Sequence, residues 1–182
     1  MRTSVCGAAF VFALVLGSAE NGFDQGPRHF REGLEAYQRG DFDAAIRSFT
    51  LAIENGDLPH PDIFFAFNNR GNAHAAKRDS VRALQDYDEA LRLNPKYAGA
   101  MRNRGLVHAA QGDYDHAIRD FSEAARLDPD DPHALIGRGL VHCARHAFTD
   151  AVRDFDAALR ICPSCSRAIA GRAAAAVGKE CG

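Results

Sequence analysis

Arg70-Gly71, Arg104-Gly105 and Arg138-Gly139 recur at an interval of 34 residues in this 182-residue chain, and that interval constrains its fold more than any other feature. Other columns keep the same phase: Ala83, Ala117 and Ala151; Tyr87, Phe121 and Phe155; Ala90, Ala124 and Ala158; and the closing prolines Pro95, Pro129 and Pro163. A fixed period of this length is the signature of stacked supersecondary units.

The unit at residues 98 to 131 shows what is stacked. Small or apolar residues fall at helical spacing on Ala98, Met101, Gly105, His108 and Ala109, Gly112 interrupts, and a second helical face follows on Ala117, Ile118, Phe121, Ala124 and Ala125. Asp113 and Asp115 stand where the second helix begins and favour its positive end, and Pro129 follows its last turn. The unit therefore reads as a helix, a tight turn and an antiparallel helix. Gly105 and Ala117 keep side chains small where the two helices approach. One such pair cannot cover its own apolar faces, so the expected architecture is an all-α, right-handed superhelical solenoid of antiparallel helix pairs.

The period, the small, aromatic and proline columns and the stretch "GDYDHAIRDFSEAARLDP" together resemble the tetratricopeptide repeat family, over residues 26 to 179. The Arg-Gly style of the repeats is similar to that of bacterial exported members. Full units are expected at 64 to 97, 98 to 131 and 132 to 165, with a divergent unit at 26 to 59. Gly33 and Gly71 are 38 residues apart, which places four extra residues in the "NGDLPHPDI" connection, an inexpensive loop insertion. Residues 166 to 178, "SRAIAGRAAAAVG", read as a C-terminal capping helix.

The chain departs from the family pattern at two columns: Arg70, Arg104 and Arg138 stand where the family usually has leucine, and His74, His108 and His142 where it usually has tyrosine. Sixteen residues after each arginine comes an aspartate, Asp86, Asp120 or Asp154, whereas the first unit has Glu32 and Ser48 at these places. Arginine and aspartate appear and vanish together. Each pair reads as a structural, charge-assisted bridge between the two helices or to the neighbouring unit. The alternative, an arginine row gripping an acidic ligand, is weaker because the repeated aspartate already offers a partner. The histidines, one per unit on helices about 8–10 Å apart, are too widely spaced to share a metal ion and read as half-polar packing residues.

The first 19 residues differ in kind from the rest. Arg2, an apolar run from Val5 to Leu16 and the small residues Gly17-Ser18-Ala19 have the order of a secretory signal peptide cut after Ala19, with 20 to 25 a short linker. The alternative is a retained anchor, but a 12-residue run spans only about 18 Å of a ~30 Å hydrocarbon core. The mature protein is thus expected to be periplasmic or secreted, without a transmembrane anchor. Loss of Arg2 lowers the basic count from 22 to 21 against 24 acidic residues, a balance that does not suggest nucleic acid.

Cleavage also removes Cys6 and leaves four cysteines, Cys143, Cys162, Cys165 and Cys181. In an oxidising compartment these are disulfide candidates, paired locally as Cys162 with Cys165 and, across the cap, Cys143 with Cys181. Free or redox-active thiols and a metal site are the alternatives. The Cys162-x-x-Cys165 motif falls in a turn with no strand nearby, and Ser166 rather than histidine follows it, which excludes covalent haem attachment. A zinc site would need Cys143, about 20 Å away along the stack.

No Ser-His-Asp arrangement, glycine-rich phosphate loop or paired acid motif stands out, so no enzyme activity, cofactor, metal or small-molecule substrate is expected. The resemblance implies a concave face lined by the first helix of each pair, with candidate contacts at Phe30, Leu34, Tyr37, Asn68, Asn72, Arg102, Asn103, Leu106, His133, Ile136 and Leu140. Such a groove suits a peptide or protein segment, held by amides and apolar side chains. One subgroup of the family clamps a C-terminal carboxylate. Asn72 and Asn103 match its asparagines, but Asn68, His133 and Gly137 stand in place of its three cations, so that reading fails on charge. The other role for these asparagines is bonding to adjacent helices. The expected function is a non-catalytic adaptor or assembly scaffold in the cell envelope; the alternatives are a thiol-disulfide protein using Cys162 and Cys165, and a self-assembling structural protein.

Overall fold

A computed structural model describes residues 27 to 59, 62 to 179 and 181. The expected signal peptide, its linker and Cys6 lie outside these residues. The described residues form nine helices and no strand: α1 (Arg28–Gln38), α2 (Phe42–Glu54), α3 (Phe64–Ala76), α4 (Ser80–Leu93), α5 (Ala98–Ala110), α6 (Tyr114–Leu127), α7 (Pro132–Ala144), α8 (Phe148–Ile161) and α9 (Ser166–Ala176). They pack as the pairs α1/α2, α3/α4, α5/α6 and α7/α8, with α9 closing on α8. This is the all-α solenoid that the period predicts.

The ends of the second helices are written into the repeat. Asp41, Asp79 and Asp113 cap α2, α4 and α6 by accepting the backbone N–H of the residue three places on. At the other end, Asn94, Asp128 and Cys162 each precede a proline, which disfavours helical backbone at the residue before it. All three adopt φ between −134° and −130°, and the helices stop there.

Between the helices of each pair, one residue takes a left-handed conformation: Gly40, Arg78, Gly112 and His146, with φ of 59° to 78°. Only glycine adopts this backbone without steric cost. The turn into α8 is the worst of the four, with His146 at the left-handed position and Ala147 at a cap that makes no side-chain bond. Changing His146→Gly with Ala147→Asp would copy the Gly-Asp turns that open α2 and α6. It is expected to stabilise the chain by about 1–2 kcal/mol, read as a higher denaturant midpoint. An unchanged midpoint would mean that the contact of His146 with Phe148, ring centroids 5.7 Å apart, outweighs both gains.

The core is a row of buried rings, Phe49, Tyr87, Phe121 and Phe155, flanked by buried alanines of the second helices. Each ring presses on a glycine of its own first helix, where a Cβ would come within 2.6 Å at Gly33, 2.8 Å at Gly71, 3.1 Å at Gly105 and 2.9 Å at Gly139. Phe121 and Phe155 also press on the next unit, at Gly137 and Gly171, where a Cβ would lie 2.7 and 2.5 Å away. The aromatic column therefore works both within and between units, and a side chain beneath it would force the ring or the helix to shift, least at Gly105.

Successive first helices touch one another, α1 with α3, α3 with α5, α5 with α7 and α7 with α9, whereas no second helix touches another among the described residues. The first helices are thus crowded on the inside of the curve and the second helices splayed on the outside. This difference sets which side chains line the concave face.

Candidate functional site

Three arginines form the most ordered polar feature of the stack. Arg70 donates from Nε and Nη2 to Asp86, at 3.0 and 2.7 Å; Arg104 does so to Asp120, at 2.9 and 2.7 Å; Arg138 to Asp154, at 2.8 and 2.6 Å. Each is a bidentate fork between the first and second helix of one pair. The third nitrogen, Nη1, reaches back to the second helix of the preceding pair: to Thr50 at 3.1 Å, Asp88 at 2.6 Å and Ser122 at 2.9 Å. Both forms of bridge, within a pair and to the neighbour, are therefore made by one side chain. Sequence reading missed this third partner, although Asp88, Ser122 and Asp156 form a column at the 34-residue period. It also missed Arg172 on α9, which continues the arginine column and bonds Asp156.

The aspartates are buried and the arginines partly so. The hydrogen bonds that they donate to Asp120 and Asp154, outweighing burial, hold Arg104 and Arg138 above the usual guanidinium range. Where α2 and α4 part, a cleft of about 310 Å³ has Arg70, Asp86, His74 and Thr50 in its lining. These arginines are occupied, which leaves little of them for an external anion.

The histidines pack beside the forks. His74 and His142 hold Nε2 at 3.9 and 3.7 Å from Asp86 and Asp154, while His108 lies against His116 and Asp113. Burial depresses the pKa of His74 and His108, favouring neutral imidazole. No group of three or more metal-ligating side chains is placed to hold an ion among the described residues.

The cysteines meet in two pairs. Cys143, buried on α7, faces Cys181 beyond α9 with Cα atoms 5.8 Å apart, and Cys162 faces Cys165 in the α8–α9 turn at 5.5 Å. Both spacings suit a disulfide.

The candidate contacts on the first helices divide into surface and structure. Leu106 is 50% exposed, Tyr37 37%, and His133 is also exposed. Asn68 and Ile136 are buried and offer a ligand nothing. Phe30 and Leu34 are half-buried against the core around Phe49, and Leu140 against the core around Phe155. Arg102 is committed to Asp131. The asparagines bond to one another and to the core: Asn103 Nδ2 donates to Asn68 Oδ1 at 3.0 Å and to Asn72 Oδ1 at 2.9 Å, and the Tyr87 hydroxyl donates to Asn72 Oδ1 at 2.8 Å. They stitch α3 to α5, with capacity left on Asn103, which is only half-buried. No helix among the described residues is long and apolar enough to cross a membrane.

Residues 30–98 and 71–136 each match a family model described as tetratricopeptide repeat. Among curated proteins, the photosystem I assembly protein Ycf3 of Cyanophora paradoxa is 30% identical over 73 residues, 40% of this chain and 42% of that protein. Its counterpart from Rippkaea orientalis is 27% identical over the same length. The match thus spans less than half of either relative. Among solved structures, MamA superposes with a TM-score of 0.71 at 19% identity, covering 86% of this chain and 84% of MamA. A tetratricopeptide repeat protein from Parabacteroides merdae gives 0.70 at 23%, over 82% and 58% of the two chains. The Arabidopsis OM64 domain gives 0.63 at 22%, over 64% and 97%. At these identities the structures speak for the fold alone.

Proposed function

Because the chain belongs to the tetratricopeptide repeat family, a family of protein–protein interaction modules, we propose that its concave face binds a peptide or protein segment and that the chain serves as an adaptor or assembly scaffold. The observation that carries this reading is the contact of each first helix with the next, which lines one concave face with first-helix side chains, Leu106 among them at 50% exposure. The half-buried Asn103 amide beside Leu106 supplies a polar contact that fixes the register of an extended segment. The relatives named as assembly proteins favour a scaffold over an enzyme, and the N-terminal segment favours action outside the cytoplasm, in the periplasm or as a secreted protein.

The test is a pull-down from envelope extract with residues 20 to 182 beside the same chain carrying Leu106→Glu. Leu140 is unsuitable as a probe because it packs against the core, so its loss would mix folding with binding. A partner held by the first protein and reduced at least tenfold with the second is the expected result. Equal recovery from both would remove the concave face from consideration.

A further inference from the structure

The outer face of α9 differs from what ends a stack of repeats. A terminal helix that faces water is expected to be polar on that side. Here the exposed residues include Ile169, Ala170, Ala173 and Ala176, with Val177 just past the helix. Shifted back by one repeat they become Leu135, Ile136, Gly139, His142 and Cys143 of α7. Most of that α7 face is covered, by α8 and the core beneath it. Ile169 is 49% exposed, and Val177 is 67% exposed where Cys143 is 1%. Among the described residues nothing covers this face. A cleft of about 470 Å³ lined by Phe148, Val152, Ala175 and Ala176 borders it.

Arg172 supplies the second, electrostatic observation. Its three predecessors each spend Nε and Nη2 on an aspartate of the helix that covers them. Arg172 instead bonds Asp156 of α8 through Nε, and its side chain is 52% exposed against 24% for Arg138. Its two terminal nitrogens have no carboxylate among the described residues, so a partly exposed guanidinium stands beside the apolar face.

We propose that this end of the stack docks an amphipathic α-helix of a partner protein, antiparallel to α9, whose carboxylate takes the terminal nitrogens of Arg172, in the place that Asp154 holds against Arg138. The geometry also limits the residue after that acid. At Gly139 a Cβ would lie 2.9 Å from the Phe155 ring, and the corresponding position on α9 is Ala173, which has that Cβ. The docked helix therefore presents an aliphatic residue where α8 presents phenylalanine. This surface is separate from the concave groove and does not depend on it.

The test uses two end-capped synthetic peptides, residues 148 to 161 (FTDAVRDFDAALRI) and the same sequence with Phe155→Leu, titrated into the chain by fluorescence anisotropy. The leucine peptide is expected to bind saturably and more tightly than the phenylalanine peptide. Asp154→Asn in the peptide and Arg172→Gln in the chain should each weaken it at least tenfold, with little further loss when combined. Ile169→Glu should abolish binding while leaving the melting curve unchanged, and Leu106→Glu should leave binding intact. Absence of saturable binding, or equal binding to the Ile169→Glu chain, overturns the proposal. So does a dimer in sedimentation that Ile169→Glu dissolves, because the face would then belong to a second copy.

Discussion

Arg104→Ala is expected to destabilise the chain by about 3 kcal/mol, whereas Arg104→Leu combined with Asp120→Leu should stay within about 1 kcal/mol of the parent. The single change strips Asp120 of both bidentate bonds in a site where its side chain is 10% exposed, leaving a carboxylate that water barely reaches. The double change removes the desolvation penalty with the bond and fills the space with apolar volume. Asp88 also loses Nη1, but at 61% exposure it is solvated and contributes little. Asp120→Ala should cost less than Arg104→Ala, because Arg104 keeps Asp88. Asp86→Ala should cost more than Asp120→Ala, because Arg70 falls back on neutral groups, the Thr50 hydroxyl and the Phe67 ring, where Arg104 keeps a carboxylate. Denaturant titrations of the five proteins check this order; equal losses for the single and double changes at Arg104 would contradict the bridge.

The second large effect concerns the tail. Cys143 and Cys181 are 38 residues apart, and closing a loop of that length restricts the unfolded chain by about 4 kcal/mol on chain-entropy grounds. On the proposal that the protein matures in an oxidising compartment, Cys143→Ser with Cys181→Ser should lose about 3–4 kcal/mol relative to the oxidised parent. Cys162 and Cys165, three residues apart, close a much shorter loop, and their replacement should cost clearly less. Peptide mapping without reductant is the direct check. Recovery of all four cysteines as free thiols would remove both bonds from the account.

The 34-residue columns made the helices, their pairing and the arginine–aspartate register readable from the chain alone, because each rests on a contact repeated in several units. What stayed hidden were the contacts between units. The Nη1 partners vary among threonine, serine and aspartate, so their column carries no single residue type to notice, and Gly137 and Gly171 answer the rings of the preceding unit rather than their own. The concave face was only partly readable for a related reason. Asn68 and Ile136 lie on first helices as Leu106 does, and only the packing of one first helix on the next separates buried side chains from exposed ones.

The partners that the arginines reach on the preceding second helix alternate along the stack: neutral Thr50, charged Asp88 and neutral Ser122 through Nη1, and charged Asp156 through Nε of Arg172. Since second helices make no contact with each other among the described residues, these links help set how far neighbouring units can splay on the convex side. All of these bonds are charge-assisted through the guanidinium, and only at Asp88 and Asp156 is the acceptor ionised as well. Each joint of the stack is therefore tied by one guanidinium, through a hydroxyl at Thr50 and Ser122 and through a solvent-reached carboxylate at Asp88 and Asp156, so added salt loosens the second and fourth ties and leaves the first and third as they are.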